Sequence, residues 1–93
     1  MLILYVALSL RAPWCESLKD KRSVVKSLTE GMRRHFNVSV AESAHQDNHT
    51  LIGISAATLV ANTAQGDSLA EQLYRYAQSA TDADLYGWTK EYR

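Results

Sequence analysis

The sequence predicts an α+β fold of βαββαβ order, and three observations predict it. Strand-like segments fall near residues 2–10, strongly apolar, 37–46, where the period is two, and 51–60 and 85–92. Apolar residues recur with a helical period near 18–36 and from about 62 to 80. The breaks between these runs fall on Pro13, Ser17, a polar stretch from His45 to His49, and Thr81 to Asp84.

In the first run Leu2, Leu4, Val6, Leu8 and Leu10 share one face, with Ile3, Tyr5, Ala7 and Ser9 on the other. The run is apolar enough to suggest a secretion signal. However, no basic segment precedes it, no Ala-x-Ala-like site follows it, and it is too short to span a bilayer. A buried strand is therefore expected. Ser17-x-x-Asp20 has capping-box spacing, with Asp in place of the usual Glu, so a helix is expected from about Leu18. At about 100° per residue, Leu18, Val25, Leu28, Met32 and Phe36 form its core stripe. In the second strand Phe36, Val38 and Val40 are in phase, against Asn37, Ser39 and Ser43. The polar His45–His49 stretch is a hairpin loop, and Leu51–Val60 is a third strand in which Gly53 marks close packing or a bulge. A second helix starts near Asn62 or Asp67 and ends at Ala80, with Leu69, Leu73, Tyr76 and Ala80 at apolar spacing. Leu85–Tyr92 closes the chain as a fourth strand. This is the split βαβ, or ferredoxin-like, plan. Right-handed crossovers then give one antiparallel sheet in order 4-1-3-2 with both helices on one face.

Ninety-three residues, 46% of them hydrophobic, support one folded domain spanning 1–93. The net charge of zero conceals an imbalance. Residues 1–40 hold seven Lys/Arg against three acids, and residues 41–93 hold three against seven. Such asymmetry steers an anionic partner to one side. The single Cys15 has no intrachain partner, which fits a reducing cytosol.

The topology brings residues 11–22, Glu42 and the His45–His49 loop to one rim, where the first helix begins. A helix N-terminus favours an anion, and Lys19, Lys21 and Arg22 strengthen that bias. Ser17, Gln46 and Asp47 complete the rim. Lys21 lies at the azimuth of Val25, Leu28 and Met32, facing the sheet. Glu42 shares the parity of Val38 and Val40 and points toward the same layer. The two are expected to meet as a partly buried ion pair that fastens the helix start to the sheet. Lys19, Arg22, Lys26 and Arg33 lie within about 60° of one another around the helix, a ridge that can track a phosphate backbone, interrupted by Glu30.

Tyr86, Trp88 and Tyr92 share one face by simple alternation. On the open face of the sheet, Tyr5, Tyr86 and Trp88 would make an aromatic platform of the kind that stacks RNA bases. No RNP-type pattern accompanies it, and a homodimer contact is the preferred reading of that face. His45, His49, Glu42 and Asp47 are the only metal-like set, and a hairpin loop lacks the helical spacing that would align them, so no metal is assigned. Cys15 has no evident base, Trp14 is expected to cover the core edge, and His35 to pack at the end of the first helix. No Ser-His-Asp order, Walker loop or dinucleotide fingerprint occurs, and no cofactor or catalytic residue is assigned.

The segments Ser17-Leu18-Lys19-Asp20-Lys21-Arg22-Ser23, Phe36-Asn37-Val38-Ser39-Val40-Ala41-Glu42 and His45-Gln46-Asp47 resemble the YlxP-like family, small bacterial proteins of unestablished biochemical role. The resemblance implies a ferredoxin-like fold and a cytoplasmic protein. Genes of that family often lie beside those for transcription-termination, translation-initiation and ribosome-maturation proteins, which implies structured RNA or a ribosomal particle as partner. Many relatives carry a tryptophan and a basic residue just after the aspartate, where this chain has Asn48-His49-Thr50. The function expected is that of a non-enzymatic accessory protein binding RNA or a ribosomal subunit through the basic helix face, with no membrane partner. The alternative is a homodimeric regulatory module that binds a small anionic metabolite at the rim. An enzyme using Glu42 and Lys21 for proton transfer is a third class, without a nucleophile to support it.

Overall fold

In the computed structural model, which describes residues 1–93, the elements follow the expected order. They are β1 (Leu2–Arg11), α1 (Leu18–His35), β2 (Ser39–Ala44), β3 (Leu51–Val60), α2 (Thr63–Ala80) and β4 (Asp84–Tyr92). The strands form one antiparallel sheet ordered β2-β3-β1-β4, the same arrangement as 4-1-3-2. No helix is long and apolar enough to cross a membrane.

Alternation in β1 sets the layers. Leu4, Val6, Leu8 and Leu10 are buried and pack with Ile52, Ile54 and Ala56 of β3 against Leu28 and Met32 of α1 and Ala70, Leu73 and Ala77 of α2. Removing each large side chain from water is worth about 1.5–3 kcal/mol, so this central layer dominates stability. The helices touch where Gly31 of α1 leaves room for Tyr76 of α2: a Cβ at Gly31 would overlap the Tyr76 hydroxyl. Tyr76 is also flanked by the rings of His35 at 4.9 Å and Phe36 at 5.7 Å. His35 thus packs at the helix end as expected, its Nδ1 2.8 Å from the Gly31 carbonyl.

Two strands differ from simple alternation. β2 is shorter than residues 37–46 because Phe36 caps α1 and a register shift between Glu42 and Ala44 ends the ladder early. In β4, Gly87 pairs with Ser9 and Leu85 with Leu10, so Tyr86 is an extra residue without a partner. That bulge overturns the shared face for Tyr86, Trp88 and Tyr92. Trp88 and Tyr92 pair with Leu8 and Leu4, core-facing positions of β1, and so lie on the helix side. Trp88 stacks on Tyr74 of α2 with ring centroids 5.2 Å apart. Tyr86 instead lies beneath the guanidinium of Arg11, 5.0 Å from its ring centre. Tyr5 stays on the open face, under Arg93 at 4.9 Å, with its hydroxyl 2.7 Å from that of Ser55. The three aromatics do not form one platform.

Candidate nucleic-acid interface

The start of α1 is fixed by its own side chains. Ser17 adopts an extended N-cap conformation and its Oγ accepts a hydrogen bond from the Asp20 N–H at 3.1 Å. Asp20 reaches back past the cap to accept from the Glu16 N–H at 3.0 Å. The carboxylate that stands at this helix terminus, where an anion would sit, is therefore the chain's own.

Lys21 turns inward, as its azimuth requires. It is 1% exposed, and its Nζ lies 2.9 Å from Glu42 Oε2. The same ammonium donates to the carbonyls of His45 at 2.6 Å and Leu51 at 3.3 Å. Two of its three protons are thus taken by carbonyls. Glu42 keeps a solvated edge at 19% exposure, and its Oε2 meets Lys21 as a charge contact off the hydrogen-bond axis. His45 is the one residue other than glycine with a left-handed backbone, φ 61°, and its carbonyl also accepts from the Asn48 N–H at 3.0 Å. Lys21 thereby ties α1 to the strained turn of the β2–β3 hairpin. Its burial removes it from any set of residues able to touch RNA or a free anion.

The remaining rim residues sit apart from this staple. Gln46 and Asp47 are exposed, and Gln46 Nε2 makes only a long 3.4 Å contact to the Glu42 carbonyl. No three of the protein's His, Cys, Asp and Glu side chains gather as metal ligands. None of the four surface clefts is lined by Lys21 or Glu42.

On the outer side of α1, Lys19, Arg22 and Lys26 are exposed and belong to none of the four ion pairs in the protein. They span about two turns, roughly 10 Å of helix. Arg34 is likewise exposed and unpaired. Arg33 remains at the surface, but its guanidinium donates to the Val40 carbonyl at 2.7 Å and braces the edge strand β2. The ridge read from sequence is thus reduced to Lys19, Arg22 and Lys26 as free cations.

Two residues of the preceding loop exchange their expected roles. Cys15 is 2% exposed within the core. Burial pushes its thiol up from the ordinary value, the Asp20 charge adds to this, and Lys21 opposes it, so thiolate chemistry is disfavoured. Trp14 does not cover the core edge; it is 49% exposed. Sequence alternation does not resolve this pair because they sit in a turn.

The family model described as "Protein of unknown function (DUF503)" matches residues 3–89. The chain belongs to the DUF503 family. YlxP-like proteins are this same family, so the resemblance carried by Ser17–Ser23 and Phe36–Glu42 extends over nearly the whole chain. No curated protein matches it.

Proposed function

We propose that this DUF503 protein is a non-enzymatic accessory factor that binds structured RNA, free or within a ribosomal particle, through the outer face of α1. The observation that carries this reading is the set Lys19, Arg22 and Lys26: exposed, on one side of one helix, and without a carboxylate partner. Unpaired surface cations in a row bind a polyanion through counterion release, with no sequence reading required. The metabolite alternative loses its main residue with the burial of Lys21, and no cleft is lined by Lys21 or Glu42. Co-sedimentation with purified ribosomal subunits at low and moderate salt tests the reading. The wild-type protein pellets with a subunit at low salt, and a Lys19→Glu/Arg22→Glu/Lys26→Glu variant stays in the supernatant. Equal behaviour of the two proteins contradicts it.

A second copy of the chain is the other partner we propose, bound to the open face of the sheet. Ile3 and Leu59, opposite one another on β1 and β3, are 43% and 62% exposed there. The same face carries Ala7, Ala41 and Ala57, with Tyr5 between Ile3 and Ala7 on β1. Such a dimer leaves both α1 ridges outward. Sedimentation equilibrium of the wild type and Leu59→Glu reads it directly, with the variant monomeric where the wild type is dimeric.

A further inference from the structure

Trp14 is held outward by design of its turn. Ala12 and Cys15 are 0% and 2% exposed, and the Cys15 N–H donates to the Ala12 carbonyl at 3.0 Å. Pro13 occupies the position after Ala12, where its fixed φ favours such a turn. Both ends of the four-residue turn are thus anchored in the core while the indole stands 49% exposed. Trp88, by contrast, rests on Tyr74, whereas Trp14 has no aromatic neighbour.

The indole forms one wall of a cleft of about 350 Å³, lined also by Ser23 and Ser27 of α1 and by Thr81 and Asp82 after α2. This volume falls in the range of small-molecule sites, about 300–1,000 Å³. Ser23 and Ser27 make no side-chain hydrogen bond within the protein, and Asp82 has no ion-pair partner. Ser23 lies four residues after Lys19 and three before Lys26, so the cleft opens directly beside the cationic ridge.

We infer that the Trp14 cleft receives one unpaired nucleobase of an RNA whose phosphates lie along Lys19, Arg22 and Lys26. This rests on the RNA reading of α1 and adds to it a preference for unpaired nucleotides. A preformed exposed indole offers a stacking surface at little ordering cost, and stacking tolerates any base. Asp82 selects among bases: a carboxylate accepts from the amino and imino N–H groups of a Watson–Crick edge and is repelled by its acceptor atoms. Guanine, with two adjacent donors, fits it best. A helix of paired RNA presents no free base to the cleft and engages the ridge alone.

The test uses Trp88→Phe protein, in which Trp14 is the only tryptophan, titrated with U-rich single-stranded RNA 10-mers carrying one central G, A or C, and with a blunt-ended RNA duplex. The single strands should quench Trp14 fluorescence and the duplex should bind without quenching. Trp14→Ala should lose about ten-fold to a hundred-fold in single-strand affinity with duplex affinity retained. Trp14→Tyr should restore most of that loss, and Asp82→Asn should erase the preference for the G-containing strand. Single strands that bind without quenching, or a Trp14→Ala variant with an unchanged ratio of single-strand to duplex affinity, overturn this inference and leave the α1 reading intact. Absence of binding to every RNA overturns both.

Discussion

The two helices of this domain handle charge in opposite ways. Helix α1 carries six Lys/Arg against two acids, and only its buried Lys21 is ion-paired. Helix α2 carries Arg75 against Asp67 and Glu71, and every cation in its half of the chain is neutralised nearby. Arg75 meets Glu71 at 2.6 Å, Lys90 meets Asp67 at 2.9 Å, and Arg93 meets Glu91 at 2.6 Å. The comparison shows why net charge alone misleads. Cations already held by carboxylates offer little to a polyanion, whereas those left in solvent can neutralise phosphates and release the counterions condensed on it.

Structural weight is divided just as unevenly. In α1 one inward lysine holds the carbonyls of His45 and Leu51 and the charge of Glu42; in α2 the ion pairs are solvated and the packing is done by apolar residues. The largest expected effect is therefore Lys21→Met. It leaves Glu42 and the His45 carbonyl without their cation, and urea denaturation should show a loss of about 3 kcal/mol, the lower end for a broken buried pair because Glu42 keeps a solvated edge. Adding Glu42→Leu should recover part of that loss. An unchanged midpoint in Lys21→Met would mean the staple holds nothing.

Next comes the contact between the helices. Gly31→Ala gains helix propensity but drives a methyl into Tyr76, which His35 and Phe36 hold in place. Overpacking of about 1–3 kcal/mol outweighs a propensity gain of about 1 kcal/mol, so a net loss near 1 kcal/mol is expected in thermal or urea melts.

On the α2 side, the Tyr92 hydroxyl donates its one proton to the Asp67 carboxylate, with the Thr63 carbonyl 3.1 Å away as a second, weaker acceptor. Burial, then the hydrogen bond and charge of Asp67, push the Tyr92 phenol up to about 12 from 10.0. The hydrogen bonds from Tyr92 and then Lys90 hold Asp67 below its ordinary 3.8. The raised phenol favours the fold below pH 10.0, and that contribution is lost as pH rises through about 12. The depressed carboxyl favours the fold above 3.8, and its contribution is lost as pH falls through its lowered value. Tyr92→Phe should therefore flatten the stability profile at both ends while changing neutral-pH stability less than Lys21→Met does. A profile of unchanged shape would show that the Tyr92–Asp67 bond does not set it.

The smallest effect belongs to Arg75→Ala. The pair with Glu71 joins side chains that are 72% and 58% exposed, so a loss of about 0.3–0.5 kcal/mol is expected. A loss as large as that for Lys21→Met would erase the distinction between the two helices.

Much of this was legible in the sequence where a period governs it. The six elements and the approach of Lys21 to Glu42 follow from period, azimuth and parity, and the sheet order from right-handed crossovers. Trp88 did not follow, because one unpaired residue, Tyr86, flips the parity of everything after Leu85. Gly87 was the available signal, since glycine inside a strand often marks a bulge. Arg33 was placed on the correct face, yet its bond to Val40 depends on the open edge of β2, which alternation does not report. Trp14 and Cys15 lie in a turn, where no period distinguishes inside from outside.

The most direct test of the account is the salt dependence of binding to one structured RNA, measured for wild type and for Lys19→Gln/Arg22→Gln/Lys26→Gln. Each phosphate contact adds about 0.7–0.9 to the slope of log K against log salt, so the neutralised variant should lose about two to three units of slope. Equal slopes in the two proteins would contradict the claim that these three cations form the binding face.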